Sequence, residues 1–128
     1  FTINFANDDG RLEVRNNGGP RPNSTTATWL AGRWYHVAVT FKSGKYKVYV
    51  NGAKQGETEQ GNSLFDNSDP VSIGGLASLP GAVTIDGRID EMTIYSRPLV
   101  GGEIQSIYRS GAAGKYRHAD DPDEADEN

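Results

Sequence analysis

The sequence predicts an all-β fold, an antiparallel two-sheet sandwich closed by one short C-terminal helix. Three observations carry that prediction. Apolar residues recur with period two along several short segments. Clusters rich in Gly, Asn and Pro separate those segments. The period changes to that of a helix only after Pro98. Composition agrees. Of 128 residues 35% are apolar, with 16 Gly and 6 Pro, which favours short strands and many turns over a helical bundle.

The first element is Phe1, Ile3 and Phe5 alternating with Thr2 and Asn4, one buried face of a strand. The turn Asn7-Asp8-Asp9-Gly10 leads to a second strand carrying Leu12 and Val14, so the two form a hairpin. Residues 16–28 read as an exposed polar loop. The loop contains Asn23-Ser24-Thr25, which also has the form of an N-glycosylation sequon.

The strongest segment runs from Trp34 to Phe41. Tyr35, Val37, Val39 and Phe41 share one face, and Trp34, His36, Ala38 and Thr40 the other. A turn at Lys42-Ser43-Gly44 leads into the next strand. There Tyr46, Val48 and Val50 face inward, and Lys45, Lys47 and Tyr49 form a polar face that ends at Asn51-Gly52. Residues 56–70 read as a polar loop. Val71 and Ile73 mark a short strand, residues 82–86 another, and residues 88–95 the last. On that last strand Asp90, Met92 and Ile94 face away from Ile89, Glu91, Thr93 and Tyr95. After Pro98, Ile104, Ile107 and Tyr108 make one helical stripe, with Gly111 as the C′ residue. Gly101-Gly102 gives that helix a weak start.

The chain carries 13 Lys+Arg against 17 Asp+Glu, a formal −4. Six of the acids fall between Asp120 and Asn128, which leaves residues 1–119 with 13 bases against 11 acids. The acidic end reads as a solvated tail or linker, and it lacks the Gly and terminal Glu of an EF-hand loop. The mild negative balance argues against a general nucleic-acid binder. With no Cys, disulfide scaffolds, thiolate zinc sites and thiol catalysis are excluded. No apolar run is long enough for a membrane-spanning helix. The chain opens at Phe1 without Met or signal peptide and so reads as a segment of something longer.

Three stretches in order carry a family resemblance. They are Gly32-Arg33-Trp34-Tyr35-His36-Val37-Ala38-Val39-Thr40-Phe41, then Lys47-Val48-Tyr49-Val50-Asn51-Gly52, then residues 87–99 from Gly87-Arg88-Ile89-Asp90-Glu91 to Arg97-Pro98-Leu99, leading to Glu103-Ile104. Together they resemble the laminin-G-like branch of the concanavalin A-like lectin/glucanase jelly rolls, over residues 1–115, with 116–128 as the acidic tail. The resemblance implies a two-sheet jelly roll in secreted or cell-surface proteins that bind glycans or other extracellular proteins, often with a calcium ion. Members usually begin with further strands upstream of the part matching Phe1. The domain therefore reads as N-terminally incomplete, with another chain or an upstream segment expected to complete the sandwich. The turn before the helix is usually polar, where this chain has Val100-Gly101-Gly102.

Catalysis finds little support in the residues. The related glucanases carry Glu-x-Asp-x-x-Glu on one strand, and the nearest approach here, Glu57-Thr58-Glu59, lacks the last acid. Asp90 and Glu91 are adjacent, so on a strand they point to opposite faces. His36 reads as a sheet-face residue, and His118 lies in the tail. Calcium needs hard oxygen ligands. The resemblance places a calcium-binding Asp in the Ile-Asp-Glu motif, so Asp90 is the candidate metal ligand. The alternative is an Asp that only accepts backbone hydrogen bonds. Sugar binding uses an exposed aromatic face, which makes Tyr49 and Trp29 the candidate ligand-binding residues. Trp29 and Trp34 also read as core or sheet-edge filler. The function expected is a non-catalytic extracellular recognition or adhesion module, with glycan as the favoured ligand. The alternatives are a structural subunit of a surface or particle assembly and an accessory domain of a polysaccharide-degrading enzyme.

Overall fold

A computed structural model describes residues 2–5, 9–15, 22–59, 71–75 and 85–111. Two compact units are distinguished, Phe1–Leu64 with Pro98–Asn128, and Phe65–Arg97. Every strand and the helix among the described residues belong to the first unit.

In that unit β1 (Thr2–Phe5) pairs antiparallel with β2 (Leu12–Arg15), and β3 (Val37–Lys42), β4 (Lys45–Val50) and β5 (Ala53–Glu59) form a second antiparallel sheet in the order β3-β4-β5. The turns follow from sequence. Ser43-Gly44 and Asn51-Gly52 both hold two successive residues at positive φ, the two-residue geometry whose twist matches an antiparallel hairpin. Asn51 also ties down the entry to β3. Its N–H donates to the His36 carbonyl at 2.8 Å, and its Oδ1 accepts the His36 N–H at 3.0 Å.

The two sheets meet through Leu12 and Val14 of β2 and Tyr46 and Val48 of β4, all at most 3% exposed, with Trp29, Val39 and Phe41 packed around them. Removing each such side chain from water contributes roughly 1.5–3 kcal/mol. The pairing register puts Val37 opposite Val50, Val39 opposite Val48 and Phe41 opposite Tyr46. The inward face read from the sequence is therefore the packed one. It is not evenly covered: Val37 at the strand start is 36% exposed, and Ile3 and Phe5, expected on a buried face, are 44% and 38% exposed. Phe1 lies outside the described residues.

β5 corrects the reading of 56–70 as a loop from its first residue. Residues 56–59 belong to a strand whose polar sequence, Ala-Lys-Gln-Gly-Glu-Thr-Glu, hid it. A bulge opposite Val48/Tyr49 admits Gln55 as an extra residue. Gln55 reaches the 22–26 segment: its Oε1 accepts the Thr26 N–H at 3.0 Å, and its Nε2 donates to Thr26 Oγ1 at 2.8 Å. The loop expected at 16–28 is correspondingly ordered from Pro22. The Val14 N–H donates to the Pro22 carbonyl, the Ser24 N–H to the Leu12 carbonyl, and Asn23 bridges to Glu13. Ser24 of the sequon is 1% exposed, and its hydroxyl accepts the Leu12 N–H while donating to the Thr26 carbonyl.

Helix α1 (Gly101–Ser110) forms where the period changes, with Ile104 fully buried. Its start is better held than Gly101-Gly102 suggests. The Glu103 carboxylate accepts the Val100 N–H at 2.9 Å, and the Val100 carbonyl accepts the N–H groups of Glu103 and Ile104. Gly111 ends it at φ +54.

The second unit departs from expectation. Neither 71–73 nor 88–95 is a strand. Glu91 sits at φ +51, in the left-handed region, which breaks the extended alternation expected through 88–95. Val71 and Ile94 are largely exposed, and the Ile85 N–H donates to the Gly74 carbonyl at 3.0 Å. Residues 82–84 and the acidic tail lie outside the described residues.

Candidate functional site

Helix α1 covers the outer face of the β3-β4-β5 sheet, opposite the core. A Cβ placed on Gly101 would stand 3.8 Å from Tyr49 Cε1, one placed on Gly52 would meet the Tyr108 ring at 3.0 Å, and the His36 and Tyr108 rings lie 6.2 Å apart. Strand β4 is therefore covered on both sides, and Val48, Tyr49 and Val50 are all buried in succession.

Beside the helix start the same outer face forms an open groove of about 450 Å³. Register assembles it. Lys42 stands opposite Lys45, Thr40 opposite Lys47 and Ala38 opposite Tyr49. On the other flank of β4, Lys45 faces Glu59, Lys47 faces Glu57 and Tyr49 faces Lys54. Lys42, Lys45, Lys47 and Tyr49 line the groove, with Glu59 at the strand end and residues 98–101 forming the far wall. Glu57 bonds to Lys54 at 2.8 Å and approaches Lys45 at 3.2 Å and Lys47 at 3.9 Å. The hydrogen bond from Lys54, then that from Lys45, lowers its carboxyl pKa to about 2. Held ionised in this way, Glu57 is unsuited to the general-acid role that a glycosidase pair requires.

The sequence-predicted residues fall apart. Tyr49 was expected on an exposed polar face, but it is 5% exposed because α1 lies over it, and it lines the groove from there. Trp29 is a packing residue. Its ring meets Phe5 and Tyr35 edge-on at 5.0 and 4.9 Å, and its Nε1 donates to the Gly10 carbonyl at 2.8 Å. It belongs to the core side of the sheet and Tyr49 to the outer side. Trp34, read as filler, is 65% exposed. Asp90 is exposed, and its Oδ1 accepts the Glu91 N–H at 2.8 Å. Among the described residues no three Asp, Glu or His side chains cluster as a metal site. Calcium takes six to eight oxygens, of which Asp90 would supply at most two, the rest coming from backbone carbonyls, amides and water. Sequence reasoning missed Lys42, which it took as part of a turn. The available signal was a lysine on each side of a two-residue turn, which places both on one face.

Comparison with known proteins agrees with this architecture. No curated protein shows significant similarity to the chain. A solved structure of an S-layer domain-containing protein (residues 221–444) from Clostridium thermocellum is similar, with a TM-score of 0.56 and 23% identity. The match covers 80% of this chain and 54% of that one, so this chain spans about half the neighbour's length, and the likeness concerns the fold alone. The laminin-G-type family profile described as the concanavalin A-like lectin/glucanases superfamily matches residues 1–105, and with most of its length covered the chain belongs to that superfamily.

Proposed function

We propose that the chain is a non-catalytic recognition or adhesion module, secreted or at the cell surface, and that its ligand is a glycan. The observation that carries this reading is the groove on the outer sheet face, whose volume and mixture of cationic, hydroxyl and aromatic groups suit a sugar-sized ligand. Superfamily membership supports the ligand class, and the structural neighbour, an S-layer domain-containing protein, supports a surface location. The test is a glycan array probed with the full chain, with product analysis of every bound oligosaccharide. Binding with intact oligosaccharide is the expected result, and cleavage of a bound ligand would overturn the non-catalytic part.

A structural role in a surface assembly has its own support. Ile3 and Phe5 share a face with buried Leu12 and Val14 yet stay 44% and 38% exposed, as residues would that pack against a further strand or a neighbouring chain. Concentration-dependent association that Ile3→Thr abolishes would favour that reading, and a monomer at all concentrations would exclude it.

A further inference from the structure

We propose that the outer edge of β3 is a self-association surface, on which a second copy of the chain adds its own β3 antiparallel about a two-fold axis through Val39. The surface is a row of main-chain groups rather than the groove on the sheet face, and it belongs to the other sheet from Ile3 and Phe5.

The edge is open. β3 is the end strand of its sheet and pairs with β4 alone. An antiparallel strand turns the N–H and C=O of alternate residues toward the same neighbour. Both ends of the hairpin fix which residues those are. Lys42 and Lys45 flank the two-residue turn Ser43-Gly44, and the Asn51 N–H donates to the His36 carbonyl. His36, Ala38, Thr40 and Lys42 therefore turn their main-chain groups toward β4. Val37, Val39 and Phe41 turn theirs away, and among the described residues no strand meets them. Exposed edges are ordinarily blunted by a bulge, a proline or a charge. β3 runs against β4 without a bulge and contains no Pro, and its one charge, Lys42, stands at the strand end.

The edge also fits itself. Within β3, the antiparallel register centred on Val39 is the one that pairs all of the outward residues. Val39 meets Val39 of the second copy, and Val37 meets Phe41 in both directions. Each pair exchanges both of its N–H···O bonds. A slip of one residue would set outward groups of one copy against β4-directed groups of the other and turn the side chains to opposite faces. In the centred register Val37, Val39 and Phe41 of both copies share one face. They extend the apolar rows already made with Val50, Val48 and Tyr46 of β4. Charge agrees, because Lys42 falls opposite His36 of the second copy and no two lysines meet across the new pair. The exposed Trp34 comes level with the Ser43-Gly44 turn of the second copy. One short strand pair is a small interface, so the association is weak and reversible.

The test is sedimentation of the full chain from about 5 μM to about 1 mM, with amide hydrogen exchange at both ends of that range. A monomer–dimer equilibrium is expected. As the dimer forms, exchange at Val37, Val39 and Phe41 should slow several-fold, while Ala38, Thr40 and Lys42, already bonded to β4, should hardly change. Val37→Pro deletes an outward N–H and no β4 bond, and should weaken dimerisation at least about tenfold. A thermal melt shows whether that variant keeps its fold. Val39→Cys places the chain's one thiol at the two-fold axis. With oxidised glutathione it should give a disulfide-linked dimer faster than Lys54→Cys, whose exposed thiol reports random collision. If Val37→Pro does not fold, the exchange pattern and the Val39 cross-link decide. A monomer across the whole range would overturn the proposal. So would a dimer that Ile3→Thr dissociates and folded Val37→Pro does not, or a Val39→Cys cross-link no faster than that of Lys54→Cys.

Discussion

Gly56→Ala tests how the sandwich closes. Gly56 sits on β5 opposite Val48, on the side that faces the 22–24 segment. A Cβ built there would lie 2.2 Å from the Asn23 carbonyl oxygen and 3.0 Å from its carbon. Both are backbone atoms, so no rotamer change relieves the clash, and the segment must move by roughly 1 Å to restore ordinary contact. Overpacking of this kind costs about 1–3 kcal/mol, offset by up to about 1 kcal/mol because Ala loses less backbone entropy than Gly in a strand. A net loss of about 1–2 kcal/mol follows. With a urea m-value of about 1–2 kcal/mol/M for a domain this small, the midpoint should fall by about 1 M at unchanged m. Two controls sharpen the assay. Gly102→Ala, with open space around it, should raise the midpoint slightly. Gln55→Ala, which removes both bonds to Thr26, should cost about 1–2 kcal/mol alone but less in the Gly56→Ala background, because the same contact is already displaced. An unchanged midpoint for Gly56→Ala, or strict additivity with Gln55→Ala, would refute the close approach of β5 to the 22–26 segment.

Three further outcomes follow from the same structure. Val48→Ala should cost about 2–3 kcal/mol and half-buried Val39→Ala about 1, measured by chemical denaturation; equal costs would contradict the burial order. Glu57 should titrate near pH 2 by NMR. Because its folded pKa is lowered from 4.5, its contribution is complete above about 4.5 and fades as pH falls toward 2, and Lys54→Gln should move the midpoint up. Glu91→Gly should raise the melting temperature, because the left-handed φ of +51 costs a non-glycine residue; a lower melt would mean the Glu91 side chain outweighs that strain.

Much of the fold was legible because the apolar period was strong where burial is one-sided. The β3–β4 hairpin followed from Tyr46, Val48 and Val50 against Val37, Val39 and Phe41, and its two tight turns from Ser43-Gly44 and Asn51-Gly52. The helix followed from Ile104, Ile107 and Tyr108. β5 was illegible because it carries almost no apolar residue. Its bonds run through the β4 ladder and through Glu57, which pairs across the strands with Lys45 and Lys47. The expected strand at 88–95 failed for the opposite reason: its alternation was present, but one left-handed residue at Glu91 breaks the extension. Periodicity records which side chains would share a face if the backbone were extended, and it does not report where the backbone turns.

The candidate site shows the same limit at closer range. Sequence parity placed Tyr49 with Lys45 and Lys47 on the outward face of β4, and the register bears that placement out. What parity could not supply is the helix, separated from Tyr49 by some fifty residues, that lies over that face. Its arrival turns an exposed ring into a buried one and turns a flat lysine-bearing sheet face into one wall of a groove. Gly101, half of the pair that looked like a defect in the helix start, lies beside the Tyr49 ring, where an added Cβ would stand at an ordinary 3.8 Å from Cε1. Burial of Tyr49 and exposure of Lys42 thus have one cause, since the helix ends its cover at Gly101 and the hairpin runs on beyond it.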